Sequence, residues 1–165
     1  MQNKDNIYKD IINDHRDMIY RLCCFYVGNS ELRKDLFQDI LIRIWKGLDS
    51  YESRSSLRTW IYRLSVNTSI DFLRKEFKGK QRNIKDMELE DKSTNPEDKI
   101  VISEKIDFIY KCINTLTFVD KTIISLYLED LSYKEISEIV GISKNNVSVK
   151  LTRIKNKLNK CLKDF

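Results

Sequence analysis

Residues 131–154, LSYKEISEIVGISKNNVSVKLTRI, decide the fold. Ser132 followed three residues later by Glu135 supplies both halves of a capping box, so a helix starts there. Gly141 is the residue type that most easily ends a helix in a left-handed turn, and Ser143 can cap a new helix at once. Ile136, Val140, Ile142 and Val147 are spaced to pack the two helices together. Helix, glycine turn and helix make a helix-turn-helix, whose second helix enters the DNA major groove. At 100° per residue, Val147, Leu151, Ile154, Leu158 and Cys161 fall within roughly 80° and form its core stripe. The opposite side carries Asn145, Val149, Thr152, Arg153 and Asn156: amides, an arginine and a small apolar group, the types that read base edges or hold phosphates. Residues 143–165 hold seven Lys/Arg against one Asp. A packing unit with a merely solvated basic face is the competing account. The polar, singly charged first turn favours DNA, because Lys and Glu usually fill an idle exposed face.

Working outward, the chain reads as helix on both sides. Asn95-Pro96 caps and opens a helix that runs to about Asn114. Thr117 with Asp120 resembles a capping box for a short helix ending near Leu128, and the last helix continues to about Leu162. At the other end, one helix is expected from about Ile7 to Val27. A second runs from the Ser30 cap to about Lys46, with Leu36, Ile40 and Ile44 in a four-residue ladder and Gly47 as its stop. The polar stretch LDSYESRSS (48–56) is a loop, and a third helix runs from about Leu57 to Lys78. Residues 79–98 hold ten charges and only Ile84, Met87 and Leu89 as large apolar groups, so they read as a flexible acidic linker. The expected fold is therefore all-α, with small helical domains at 1–78 and 99–165 joined by the linker 79–98. Residues 1–78 carry 14 Lys/Arg against 11 Asp/Glu, residues 79–98 carry 4 against 6, and residues 99–165 carry 12 against 8.

Composition narrows the function. Among 165 residues there are 4 Gly and 1 Pro, too few for a loop-rich β-sandwich or barrel. A net charge of +5 permits nucleic acid as a partner. No apolar run approaches the roughly 18 residues of a membrane span, and the charged start MQNKDNIYKD does not read as a signal peptide. A cytoplasmic protein is expected. Cys23, Cys24, Cys112 and Cys161 form no C-x-x-C pair, and their apolar neighbours predict buried free thiols. His15 has no second ligand nearby, so neither a metal site, a cofactor nor a catalytic residue is expected.

The third helix adds a second polar face. Arg63, Asn67, Arg74 and Lys78 fall within about 60°, flanked by Leu57, Ile61 and Leu64 on one side and Ile70, Leu73 and Phe77 on the other. With Tyr51, Trp60 and Tyr62 close by, such a stripe suits a strand with exposed bases. The plainer account is a solvated face, with Trp60 and Trp45 in the core.

Three stretches in order, DLFQDILIRIW (35–45), SLRTWIYRLSVNTSIDFLR (56–74) and LSYKEISEIVGISKNNV (131–147), resemble bacterial RNA polymerase sigma factors. The likeness is to the small extracytoplasmic-function group of the sigma-70 family, which keeps only the second and fourth conserved regions. It implies a transcription initiation factor that binds core polymerase, selects promoters and helps melt the minus-ten element. It implies that Asp35, Gln38, Asp39, Arg43 and Trp45 dock on the polymerase. Arg63, Asn67, Asp71 and Arg74, with the loop 49–55, would handle the minus-ten element and a flipped base. Lys144, Asn145, Asn146, Ser148, Val149 and Arg153 would read the minus-thirty-five element. Ser137, Asn145 and Asn146 stand where the family pattern often has Ala, Gly and Thr. An anti-sigma factor is a further implied partner. Read from the residues alone, a helix-turn-helix regulator that never touches polymerase stays open as the alternative. A recombinase-like enzyme or a helical adaptor explains less of the chain.

Overall fold

The computed structural model describes residues 2–76 and 103–163. Among them lie seven helices: α1 Gln2–Tyr26, α2 Ser30–Gly47, α3 Leu57–Glu76, α4 Ser103–Asn114, α5 Phe118–Leu128, α6 Tyr133–Val140 and α7 Lys144–Leu162. A short 3-10 turn, Leu48–Ser50, follows α2, and no strand occurs among the described residues. The expected linker 79–98, the helix start at Asn95-Pro96 and the side chains of Phe77 and Lys78 lie outside the described residues. The chain divides into two compact units, one on α1–α3 and one on α4–α7, with residues 25–29 counted in the second.

The first unit is closed by three apolar stripes. Ile11, Met18, Ile19 and Leu22 from α1, Leu36, Ile40 and Ile44 from α2, and Ile61, Tyr62, Val66 and Leu73 from α3 are all buried. The four-residue ladder expected on α2 is the one that faces inward. Fully burying each such aliphatic side chain contributes about 1.5–3 kcal/mol before chain entropy is counted. On α3, Thr59, Ser65, Thr68 and Ser69 are buried as well. Thr68 donates its hydroxyl to the Leu64 carbonyl at 2.7 Å and Ser69 to that of Ser65 at 2.9 Å. Bonding back along their own helix satisfies the Thr68 and Ser69 hydroxyls, and the small size of all four side chains leaves room for neighbouring helices.

α1 begins at Gln2, about one and a half turns before the expected Ile7. The extra turns are held from a distance: Lys4 pairs with Asp49 and lies over the Trp45 ring, 4.6 Å from its centroid, and Tyr8 meets the same ring edge-on at 5.1 Å. Trp45 is thus largely occupied by packing on α1.

In the second unit the caps are as expected. Ser132 and Glu135 exchange both capping-box bonds, Gly141 turns the chain at φ 77°, and Ser143 accepts the Asn146 N–H at 3.2 Å. Thr117 accepts the Asp120 N–H at 3.2 Å. Leu116, Ile123, Leu126, Ile136, Val147, Leu151 and Ile154 form the core. Ile139, rather than Val140 or Ile142, takes the inner position of the helix-turn-helix; the other two are half-buried.

One expectation fails here. Cys112 and Cys161 are not free thiols but a disulfide between the last turns of α4 and α7, with Cα atoms 5.9 Å apart. Packing of the two helices brings together residues 49 apart in sequence, at a separation a disulfide spans without backbone movement. Cys23, buried, and Cys24, half-buried, remain free thiols, and burial pushes the Cys23 thiol up to about 12.

Candidate nucleic-acid interface

Each unit carries one polar face that packing does not use. In the first, α2 and α3 enclose an open groove of about 480 Å³, lined by Arg43, Lys46, Gly47, Trp60, Arg63, Leu64, Asn67 and Thr68. Gly47 has an ordinary helical φ of −79°, so its backbone does not demand glycine. Space does: a Cβ there would lie 2.9 Å from Trp60 Cζ2. The loop rim is fixed by Tyr51, whose hydroxyl donates to the Ser55 carbonyl at 2.6 Å and whose ring meets Trp60 at 5.1 Å. Ser53 holds a left-handed φ of 55°, a conformation that costs a non-glycine residue energy and often marks a functional loop.

The groove gathers Arg63 and Asn67 as the stripe on α3 predicted, and adds Arg43, Lys46 and Trp60. Asp71 does not face open solvent alone: Arg43 Nη1 donates to Asp71 Oδ2 at 2.8 Å, with both side chains partly exposed. This pair ties α2 to α3 beside the groove and sets the Arg43 guanidinium. Arg74 is exposed farther along α3 and does not line the groove. Read along the sequence, Lys46 carries no site role, Arg43 falls to the polymerase face and Trp60 stands beside the α3 stripe; that the three share one groove appears only where the two helices meet. The one local hint was Gly47, read only as a helix stop.

Asp35, Gln38 and Asp39 share another face of α2 with Ile42, which is 49% exposed. At 100° per residue these four span about 100°, with Arg43 at one edge and Trp45 at the other. The structure therefore keeps the carboxylates and the amide together and turns Arg43 towards the groove.

In the second unit the face of α7 opposite Val147, Leu151 and Ile154 is open. Lys144, Asn145, Asn146, Val149 and Arg153 are exposed and Ser148 is half-buried. Thr152 and Asn156 are exposed on the same face, between the predicted residues, and complete it. The inner side of α7 is held by contacts that leave this face alone. Lys150 Nζ donates to Asp120 Oδ1 at 2.9 Å, Lys157 Nζ donates to the Thr115 carbonyl at 2.5 Å, and Lys155 lies 3.9 Å over the Tyr127 ring. The result is a straight, convex, polar ridge of the width a major groove accepts. Among the described residues no group of three or more His, Cys, Asp or Glu is placed to hold a metal ion, and no helix is long and apolar enough to cross a membrane.

Comparison with known proteins matches residues 11–78 to the family Sigma-70 region 2 and residues 109–158 to the family Sigma-70, region 4. The chain is 30% identical to the ECF RNA polymerase sigma factor SigW of Bacillus subtilis, covering 96% of this chain and 90% of that one. It is 32% identical to the RNA polymerase sigma factor SigV of the same organism, covering 86% and 82%. Its fold resembles that of the sigma factor RpoE solved with the anti-sigma factor NepR from Bartonella quintana, with a TM-score of 0.71, 22% identity and 94% and 98% of the two chains covered. It also resembles CnrH solved with the cytosolic domain of CnrY, with a TM-score of 0.73, 16% identity and 97% and 90% covered.

Proposed function

The chain belongs to the sigma-70 family of RNA polymerase sigma factors, in its extracytoplasmic-function group, and from that membership we infer how its two units divide the work. It is a bacterial transcription initiation factor that binds core RNA polymerase and directs it to promoters. We assign residues 1–78 to polymerase and minus-ten recognition and residues 99–165 to minus-thirty-five recognition, with 79–98 as the connection. The work is binding and melting, carried out in the cytoplasm without catalysis by the chain itself. An anti-sigma factor is the expected antagonist, since the similar fold of RpoE was solved in complex with the anti-sigma factor NepR.

The observation that carries this reading is the groove between α2 and α3. It offers three cationic side chains for a phosphate backbone, an indole for stacking, and the Asn67 amide for a base edge. A single unstacked base fits such chemistry, and a pocket that reads it recovers the few kcal/mol that unstacking costs. Arg43, paired to Asp71, belongs with Arg63 and Asn67 in this task, and Arg74 with the strand leaving it. Asp35, Gln38, Asp39 and Ile42 are left for the polymerase, with Trp45 bracing their helix. On α7, Lys144, Asn145, Asn146, Ser148, Val149 and Arg153 take the duplex. A regulator acting without polymerase would account for α6 and α7 and leave the groove without a role. The test is Asn67→Ala in open-complex formation. Permanganate reactivity around the start site should fall while closed-complex binding holds, because a flipped base exists only after the strands part. Unchanged opening would remove Asn67 from the site.

A further inference from the structure

We propose that the Cys112–Cys161 disulfide is a thiol-sensitive switch on DNA binding by the second unit. The idea rests on the cytoplasmic sigma-factor reading above, because in a reducing compartment a disulfide is usually transient and sensing rather than permanent. Geometry carries it. Lys150, Lys157 and Cys161 fall within about 40° of one another around α7, forming one row along its inner side. That row holds the helix at three points: Lys150 to Asp120, Lys157 to the Thr115 carbonyl, and Cys161 to Cys112. The two lysine contacts are partly or wholly exposed, where water competes with them. The disulfide is the one covalent tie among the described residues, and it sits at the end of α7 farthest from the Ser143 cap.

The unit it ties has a core of only about 60 described residues, a size at which cross-links commonly decide stability. Opening it releases the last turn of α4 and the last turn of α7 together. The recognition helix then keeps its capped start and loses its anchored end.

The two sulfurs are unequal. Cys112 is 1% exposed, whereas Cys161 is half-buried and can be reached from solvent. A low-molecular-weight thiolate therefore attacks Cys161 Sγ, the S–S bond breaks, and Cys112 leaves as a thiolate that takes up a proton. A second thiolate attacks the external sulfur of the mixed disulfide and expels Cys161. The balance is two small thiols oxidised to their disulfide and one protein disulfide reduced to two thiols. The reverse exchange with the small disulfide restores the tie.

The experiment uses the full chain in glutathione buffers of varied reduced-to-oxidised ratio. Three readouts are followed: peptide mapping after alkylation, hydrogen exchange, and anisotropy on a minus-thirty-five duplex. In oxidised buffer the Cys112–Cys161 peptide should be found, with Cys24 open to alkylation. Reduction should speed exchange in α4 and α7 at least about tenfold and weaken duplex binding at least about threefold, both reversibly. The double variant Cys112→Ser/Cys161→Ser should stay at the reduced values in every buffer, and Cys24→Ser should respond as wild type. Should the double variant not fold, the reversible response of the wild type still decides. No Cys112–Cys161 peptide in oxidised buffer overturns the proposal, as does a response of exchange without any change in DNA affinity. Equal duplex binding in both states would sink the switch alone; no duplex binding in either state would sink the DNA-binding reading with it.

Discussion

The two units solve different recognition problems with opposite shapes. The first presents a concave groove built by two helices, with its indole, amide and cations supplied from α2 and α3. The second presents a convex ridge supplied by α7 alone, braced from behind. A hollow suits a base that has left its stack, and a ridge suits a duplex whose edges are read from outside. The difference also sets what each site depends on. The hollow needs the relative placement of two helices, so it is sensitive to the core between them. The ridge needs only one intact helix held at a fixed angle.

That contrast can be broken most forcefully in the core. Ile40, wholly buried on α2, should cost about 2–5 kcal/mol when cut to alanine, and hydrogen exchange should show the loss in α1–α3. Promoter opening should suffer with it. Binding of the minus-thirty-five duplex should be spared, and a parallel loss there would refute the separation of tasks. Next comes the polymerase face. Asp39→Arg with Gln38→Ala should weaken binding to core polymerase by about 2 kcal/mol, roughly thirtyfold, with circular dichroism unchanged. Unaltered affinity would reject the assignment of that face.

On the ridge, Asn145→Ala should cost on the order of 1–3 kcal/mol at one base position and relax preference there. Arg153, about two turns on, should act instead on phosphate, so its loss lowers affinity evenly across sequences and reduces the salt slope by about one. Competition on randomised minus-thirty-five DNA at two salt concentrations distinguishes the two. The smallest effect is a pH dependence confined to α1. Burial, with Arg58 adding to it against Asp14, holds the His15 imidazole below its usual value. The unfolded chain then binds the proton more readily, so stability is full above the ordinary histidine range and declines as pH falls through it. His15→Gln should flatten the denaturation midpoint between pH 7.5 and 5.5.

Local signals made the starts of α5, α6 and α7 legible, because a cap is written within three residues: Thr117 with Asp120, Ser132 with Glu135, Ser143 with Asn146. The exposed faces of α3 and α7 followed from helical period alone. What stayed hidden joins residues far apart. Lys4 and Asp49 extend α1 across 45 residues, Arg43 meets Asp71 across 28, and Cys112 meets Cys161 across 49. Each partner looks ordinary in its own segment. Trp60 illustrates the cost: its sequence allows a place beside the α3 stripe or one in the core, and the neighbouring helix shows that one side of the ring borders the groove.

Gly47 gives that groove a measurable width. The indole of Trp60 occupies the space where any other residue would place its first side-chain carbon. The two positions are therefore a single fitted joint, although thirteen residues separate them in sequence. Enlarging residue 47 alone pushes the ring into the hollow; shrinking residue 60 alone leaves a gap beside the helix. Among descendants of this gene, the pair should drift together, a bulkier 47 appearing only with a slimmer 60.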